Sequence, residues 1–241
     1  MQTSSRAGDP FHIARSTLAG LAVQAYLWIS DRVYGRHAWA FEALTTALTA
    51  GRFPTWRRSA LAHLPADGVL DLACGTGALL RELPTDSSHL IGVDLSPRMG
   101  LVFRRRTRHA TFVCASADRL PFGSGSFRAV VTTFPTRFLL APQTLREVAR
   151  VLGADVAAPR AGRLVVVGVF LTSRHRLIQD ALSAIYGAPV AALLSAFTEA
   201  VNAAGFDLTD VEQPTGWIHP TLHVAVRHAR PPETDDGHDA L

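Results

Sequence analysis

Val69-Leu-Asp-Leu-Ala-Cys-Gly-Thr-Gly77 decides how the rest of the chain is read. A short apolar strand carrying Asp71 runs straight into a loop of small residues, Ala73, Gly75 and Gly77. Small residues let the backbone approach a bound molecule, and glycine allows the positive φ of a tight turn. The pattern predicts a helix opening at Ala78, so that backbone N–H groups and the helix N-terminus face the ligand. Two common phosphate loops are excluded. No Gly-Lys-Ser/Thr follows, and a dinucleotide fingerprint counted from Gly75 would need its third glycine at Leu80. Of that frame only Ala73-x-Gly75-x-x-Ala78 survives.

Toward the C-terminus, Leu90-Ile-Gly-Val-Asp94 is a second such run. In a doubly wound sheet its carboxylate would stand beside the glycine loop, where it can accept both hydroxyl hydrogens of a ribose. Asp94 alone would read equally well as a polar strand end; its spacing from Gly77 favours the binding role. Ser96 then Pro97 reads as an N-cap followed by an N1 proline, so a helix starts at once. Further apolar runs occupy 111–114, 128–133 and 163–169, most of them separated by helical stretches. Short apolar strands alternating with helices predict a parallel sheet covered on both faces. Val211 to Gln213 and Leu222 to Arg227, with a turn at Pro214-Thr215-Gly216, predict an antiparallel edge.

Toward the N-terminus, residues 11–64 read as helical. Leu18, Leu21, Ala22, Ala25 and Ile29 share one helix face. A second helix covers His37 to Thr49 and stops at Gly51, with Pro54 beyond. The expected organisation is an N-terminal helical extension over 1–64, a binding domain over 65–229 and a polar, disordered tail over 230–241.

Composition agrees with a folded enzyme-sized chain. The protein has 241 residues, 48% apolar and 18% charged, which supplies a core and excludes a disordered chain. Its formal charge is +4, and every basic side chain except histidine is arginine. So small an excess over this length is a weak polyanion signal, and no nucleic-acid partner is expected. Two cysteines, Cys74 and Cys114, make no disulfide framework and have no histidine at zinc spacing, so no metal is expected. The apolar run Leu18 to Ile29 is too short to span a membrane, which needs about 20 residues, and it lacks a basic leader. A cytoplasmic location is expected.

The ordered motifs resemble class I S-adenosylmethionine-dependent methyltransferases, above all the type 11 group with the ubiquinone and menaquinone C-methyltransferases. Asp71-x-Ala-Cys-Gly-Thr-Gly77 resembles motif I, and Gly92-Val-Asp94-Leu-Ser-Pro the acidic second motif. Ala115-Ser-Ala-Asp118-Arg-Leu-Pro-Phe122, Ser126-Phe-Arg-Ala-Val-Val131 and Leu145-Arg-Glu-Val-Ala-Arg-Val-Leu152 follow in the family's order. The resemblance spans about residues 66–170. It implies an α/β, doubly wound Rossmann-like sheet, mostly parallel and seven-stranded, with an antiparallel C-terminal edge strand and an N-terminal helical extension. It implies S-adenosyl-L-methionine as cofactor.

The resemblance also assigns roles. Gly75 and Gly77, with Ala73 and Cys74, would pass under the cofactor, and Asp71 would face its amino group. Asp94 would hold the ribose diol, with Leu95 against the adenine. Asp118 would accept from the adenine's exocyclic amine, and Ala117 would offer a backbone N–H. Thr133 would lie nearest the methyl donor. Ala73 replaces the family's commonest first glycine, Arg128 replaces an aspartate, and 153–162 is longer than the family's turn and reads as a surface insertion.

The acceptor site is less defined. Phe134, Arg137 and His175 follow strands at the carboxyl edge of the sheet, where ligands bind in open α/β folds. Trp39 and Phe41 would close a lid formed by 11–60 and supply part of the pocket. The rival use of that apolar N-terminal face is peripheral contact with a membrane. The run Arg104-Arg-Arg-Thr-Arg108-His reads as a solvated helix face. No general base stands out, as expected for displacement at a sulfonium, where the protein mainly orients the reactants. A small-molecule or lipid-like acceptor is expected. An NAD(P)-dependent oxidoreductase on a related fold and a non-catalytic partner that keeps the cofactor fold are the alternatives, and the sequence does not fix the oligomeric state.

Overall fold

The computed structural model describes residues 41–153, 162–186, 189–211 and 217–227. The first helix of the extension, Trp39, the insertion at 154–161, the turn at 214–216 and the tail at 230–241 lie outside the described residues. Helix α1 (Phe41–Leu48) ends in a turn at Ala50 and Gly51, both at positive φ, and Pro54 sits in the first turn of α2 (Phe53–Arg58). A short 3-10 stretch, Ser59–His63, leads into the sheet.

Seven strands follow: β1 (Val69–Leu72), β2 (Leu90–Asp94), β3 (Thr111–Cys114), β4 (Ala129–Thr133), β5 (Arg163–Thr172), β6 (Phe206–Val211) and β7 (His219–Arg227). Their order is β3-β2-β1-β4-β5-β7-β6. The first five pair in parallel, and β7 runs antiparallel to both β5 and β6. This is the expected doubly wound sheet, in finer order. β7 sits one strand in from the border, and β6 is the edge. β6 starts at Phe206 rather than Val211, because its alternation of buried and exposed residues, not an apolar run, marks it.

Residues of one strand alternate between two layers. Leu70, Leu72, Val130, Leu164 and Val166 pack under α4 (Pro142–Val151) and α6 (Val190–Ala203), through Leu145, Val148, Leu193 and Phe197. Val69, Val131, Val165 and Val167 face the other way, onto Ala60, Leu79, Leu80 and the α3 (Pro97–Arg106) residue Phe103. Asp71 shares the parity of Val69. It therefore points toward the layer that includes the N-terminal extension.

The helix expected at Ala78 does not form. Residues 75–79 are turns, followed only by a 3-10 turn over Leu80–Glu82. Pro84 lies too close to Gly77 to leave room for a second turn. The loop's binding capacity is thus a matter of its backbone and its carboxylates, not of a helix dipole. α3 forms as expected, with the Ser96 hydroxyl accepting from the Met99 N–H at 3.4 Å. Its Arg104, Arg105 and Arg106 are exposed, as the solvated-face reading requires. α5 (Arg176–Tyr186) follows β5.

Candidate functional site

The loop after β1 is held from two sides. The Cys74 N–H donates to the Val93 carbonyl at 3.0 Å, and the Gly75 N–H donates to Asp94 Oδ2 at 2.9 Å. Asp94 Oδ1 accepts from the Ser96 N–H at 2.8 Å. The carboxylate that ends β2 thus organises both the glycine loop and the start of α3. It is 9% exposed, and burial raises its pKa despite the two N–H donors.

Three positions of the loop adopt positive φ: Ala73 (60°), Gly75 (54°) and Gly77 (75°). The two glycines differ in surroundings. A Cβ at Gly77 would meet Phe103 at 2.5 Å and Thr107 Oγ1 at 2.7 Å, whereas a Cβ at Gly75 would meet nothing within 4 Å. Gly77 is required by packing inside the fold. Gly75 opens onto a space the protein leaves free. Ala73 carries the strain of a left-handed residue that has a Cβ, about 1–2 kcal/mol, at the point where a glycine would carry none. Cys74 is buried against Gly92, and burial next to Asp71 and Asp94 holds its thiol protonated.

Asp71 is 2% exposed, and its pKa is raised from 3.8 to about 8. Burial is the largest cause. The nearby Arg57 opposes it and Asp94 adds to it. Arg57, on α2, is itself only 8% exposed. Its Nη2 donates to Glu82 Oε1 at 3.0 Å, and Arg58 Nε donates to Glu82 Oε2. Glu82 lies just beyond the glycine loop, so this pair fastens the N-terminal extension to it. The sequence reading did not single out Arg57. Its partners are 14 and 25 positions away, and no local pattern marks them.

Beside β2, the segment after β3 carries a half-buried Ala117 and an exposed Asp118. It is fixed by residues of α4. The Leu120 N–H donates to Glu147 Oε2 at 2.8 Å, and Arg150 donates to the carbonyls of Phe122 (2.7 Å) and Leu120 (3.0 Å). Leu95 is 72% exposed, an apolar side chain turned to solvent beside the Asp94 loop.

At the end of β4, Thr133 is half-buried and Phe134 takes φ 52°. The Phe134 ring stacks on Phe53 at 4.5 Å and lies 6.3 Å from Trp56, both on α2. A side chain at Gly168 of β5 would overlap the Phe134 ring, so that glycine makes room for it. The described part of the N-terminal extension therefore packs beside the strand end expected to lie nearest the reaction. The Phe41 and Arg137 side chains lie outside the described residues. His175 is exposed, with its ring 5.2 Å from that of exposed Trp217. The structure thus gathers Asp71, Ala73, Cys74, Gly75, Gly77 and Asp94 into one loop cluster, with Arg57 as an unforeseen member. No group of three His, Cys, Asp or Glu that could hold a metal occurs among the described residues.

Comparison with known proteins gives this cluster a context. Residues 69–155 match a family model described as a methyltransferase domain. A demethylmenaquinone methyltransferase of Beutenbergia cavernae is 32% identical over 167 residues, covering 68% of this chain and 65% of that relative. The chain thus spans slightly under two thirds of that relative's length. A Methanococcus maripaludis structure, provisionally assigned as an S-adenosyl-L-methionine-dependent methyltransferase, aligns at TM-score 0.58 and 14% identity, over 82% of this chain and 95% of that one. A geranyl diphosphate C-methyltransferase from Streptomyces coelicolor, solved with S-adenosyl-L-homocysteine, aligns at TM-score 0.52 and 16% identity, over 72% and 78%. These last two likenesses concern the fold.

Proposed function

We propose that the chain, whose residues 69–155 match a methyltransferase domain, is a class I S-adenosylmethionine-dependent methyltransferase of the ubiquinone and menaquinone type and transfers a methyl group from S-adenosyl-L-methionine to a small lipid-like acceptor of the quinone kind. The supporting observation is the meeting of Asp71, the open Gly75 turn and Asp94 at the carboxyl ends of β1 and β2. This arrangement fits the cofactor. Gly75 leaves space for a close approach, Asp94 offers a carboxylate to a diol, and Leu95 offers an apolar surface to a base. Asp71 supplies a second carboxyl for an amino group, and Ala117 and Asp118 stand beside the adenine's expected edge.

When bound, the cofactor supplies an electrophilic methyl on a positively charged sulfur, which needs no activation by the protein. The chain's part is to orient and to exclude water. Asp94 and the loop backbone hold the nucleoside, and Thr133 and Phe134 border the reacting end. The Phe53–Trp56–Phe134 cluster shields that end from solvent and forms one wall for the acceptor, with Arg137, His175, Trp39 and Phe41 as further candidates for its lining. The N-terminal extension is read as a lid, 65–229 as the methyltransferase domain and 230–241 as a dispensable tail.

No helix among the described residues is long and apolar enough to cross a membrane. We place the protein in the cytoplasm, where its acceptor would be drawn from a lipid phase. Incubation with methyl-labelled cofactor tests the reading directly. Label should enter a demethylated quinone or a lipid fraction of host extract. Label confined to protein or nucleic acid, or tight NAD binding with no S-adenosylhomocysteine heat in calorimetry, would refute it.

A further inference from the structure

β5 does not stop where its parallel neighbour does. β4 ends at Thr133, opposite Val167, while β5 continues to Thr172 with β7 as its partner, through Leu171–Pro220 and Thr172–His219. At about 3.3 Å per residue, the stretch from Gly168 to Thr172 carries this two-stranded arm roughly 15 Å past the carboxyl edge of the sheet. The tip of the arm is the lead into α5 and the start of β7. There the Ser173 N–H donates to Gln179 Oε1 at 2.8 Å, the His175 N–H donates to Ser173 Oγ at 3.1 Å, and Ser173 Oγ donates to the Trp217 carbonyl. Thr172 Oγ1 lies 3.1 Å from His219 Nδ1, and the His175 ring meets that of Trp217 edge-on at 5.2 Å. This bracing holds two apolar side chains in water: Leu177 is 84% exposed and Trp217 70%. Arg174, His175 and Arg176 are exposed around them, and Asp180, one turn along α5, is the only carboxylate of residues 173–180.

A single exposed leucine needs no explanation. A braced tip of tryptophan, leucine and arginine, standing above the edge where the acceptor enters, does. We propose that this tip is a membrane-docking surface that seats the protein reversibly on a bilayer with anionic headgroups. The choice of a bilayer rests on the lipid-like acceptor proposed above. Tryptophan is apolar over most of its ring and polar at its N–H, and it settles at headgroup level. Leu177 reaches the acyl boundary beside it, and the arginines are drawn to anionic lipid. A second copy of the chain is a poorer occupant. A tryptophan offers about 150–250 Å² and a leucine less, whereas a stable protein contact buries about 800 Å² on each partner. A bilayer needs no matching surface: it supplies an apolar medium and a charged face together. Docking by the tip also turns the carboxyl edge of the sheet toward the bilayer, so a lipid acceptor reaches Thr133 and Phe134 by a short path.

Flotation of the full chain with vesicles tests this without turnover. Phosphatidylcholine vesicles with phosphatidylglycerol at about one lipid in three should carry the protein at least about fivefold better than pure phosphatidylcholine. Replacing Leu177→Ser and Trp217→Ser together should cut binding to the anionic vesicles roughly tenfold or more. Melting temperature should stay unchanged, because both side chains lie in solvent. Arg176→Gln should lower the anionic preference about fivefold. Leu101→Ser, an exposed leucine on α3, should float like the wild type. Should the double variant not fold, the single variants serve, each with a loss of about threefold or more. A wild type that floats with neither vesicle, or equally with both, overturns the proposal. So does a double variant that floats like the wild type, which would put the docking surface elsewhere. A wild-type dimer that the double variant turns into monomer in sedimentation, with no vesicle binding, makes the occupant a second copy and overturns it too. Calorimetry with S-adenosylhomocysteine on the same preparations separates the two readings. Heat without flotation overturns the docking surface alone, and flotation without heat overturns the methyltransferase reading alone.

Discussion

Asp71→Asn should make the protein less sensitive to alkali. The Asp71 carboxyl is buried beneath the glycine loop with its pKa raised from 3.8 to about 8, so the folded state holds a proton that the unfolded chain releases. Below pH ~4 both states are protonated and the group's contribution to stability is fully present. Between pH ~4 and ~8 only the unfolded chain ionises, and stability falls as pH rises. Above ~8 the contribution is lost. Each unit corresponds to 1.36 kcal/mol, so from pH 5 to pH 8 the wild type should lose on the order of 4 kcal/mol through this group alone. The amide cannot ionise and removes that slope. Urea unfolding of both proteins at pH 5, 6.5 and 8 measures the difference. The gap between variant and wild type should widen toward pH 8, equivalent to roughly 10 °C in melting temperature for a chain of this size. Parallel curves, with a gap constant to within about 1 kcal/mol, would mean that Asp71 is ionised in the fold and that Arg57 outweighs burial.

The same carboxyl should couple binding to pH. If the ligand's ammonium draws Asp71 into its ionised form, S-adenosylhomocysteine affinity rises with pH up to about 8, by at most tenfold per unit. Calorimetry in buffers of different ionisation enthalpy should then show proton release at pH 7. Gly75→Ala and Gly77→Ala should separate binding from folding. The first should fold, at a cost of about 1–2 kcal/mol for its left-handed backbone, and lose ligand heat. The second should lose several degrees of melting temperature by driving its Cβ into Phe103. Asp94→Ala should weaken S-adenosylhomocysteine roughly tenfold to a thousandfold, and unchanged affinity in a folded variant would place the ribose elsewhere. His223 is buried with its Nδ1 2.6 Å from Asp210, and burial lowers its pKa despite that partner. Its neutral form is the one the fold accepts, so stability should fall as pH drops below about 6.5. His223→Leu should flatten that limb of a melting-temperature profile.

The central half of the fold was legible because its signals are local. β1 and β2 announced themselves as apolar runs, the first carrying Asp71 and the second closed by Asp94, and the turn between Asp94 and α3 carried its cap in Ser96-Pro97. Strand parity then placed Asp71 and Val69 on one face. Other features had no local signature. Pro84 ended the expected helix after Gly77, a competition between a ligand-loop pattern and proline chemistry that the pattern alone does not decide. β6 is an edge strand with polar residues on one face, so it offered no apolar run. The left-handed Phe134 is intelligible only with Gly168, on the neighbouring strand, to clear its ring. Arg57 looked like one arginine among many until Glu82 and Asp71 were seen around it. Charge pairs across distant elements are the information that a linear reading leaves hidden.

The place of β7 in the sheet order has a consequence during synthesis. β5 is a ten-residue strand, Arg-Leu-Val-Val-Val-Gly-Val-Phe-Leu-Thr, and its outer partner is not the next strand made but the last of the described ones. Thr172 waits for His219, 47 residues later. At about 5–20 residues per second, the ribosome leaves that edge unsatisfied for roughly 2–10 s. An apolar strand with open N–H and C=O groups is a template for pairing with another nascent chain. In the finished sheet the register with β7 shifts between Val167 and Leu171, at the left-handed Gly168, so the ten-residue run is not one uninterrupted template. The glycine that clears space for Phe134 in the finished protein is thus expected to interrupt the apolar run in the nascent chain as well. Replacing it by a β-branched residue would be felt first as lost soluble yield.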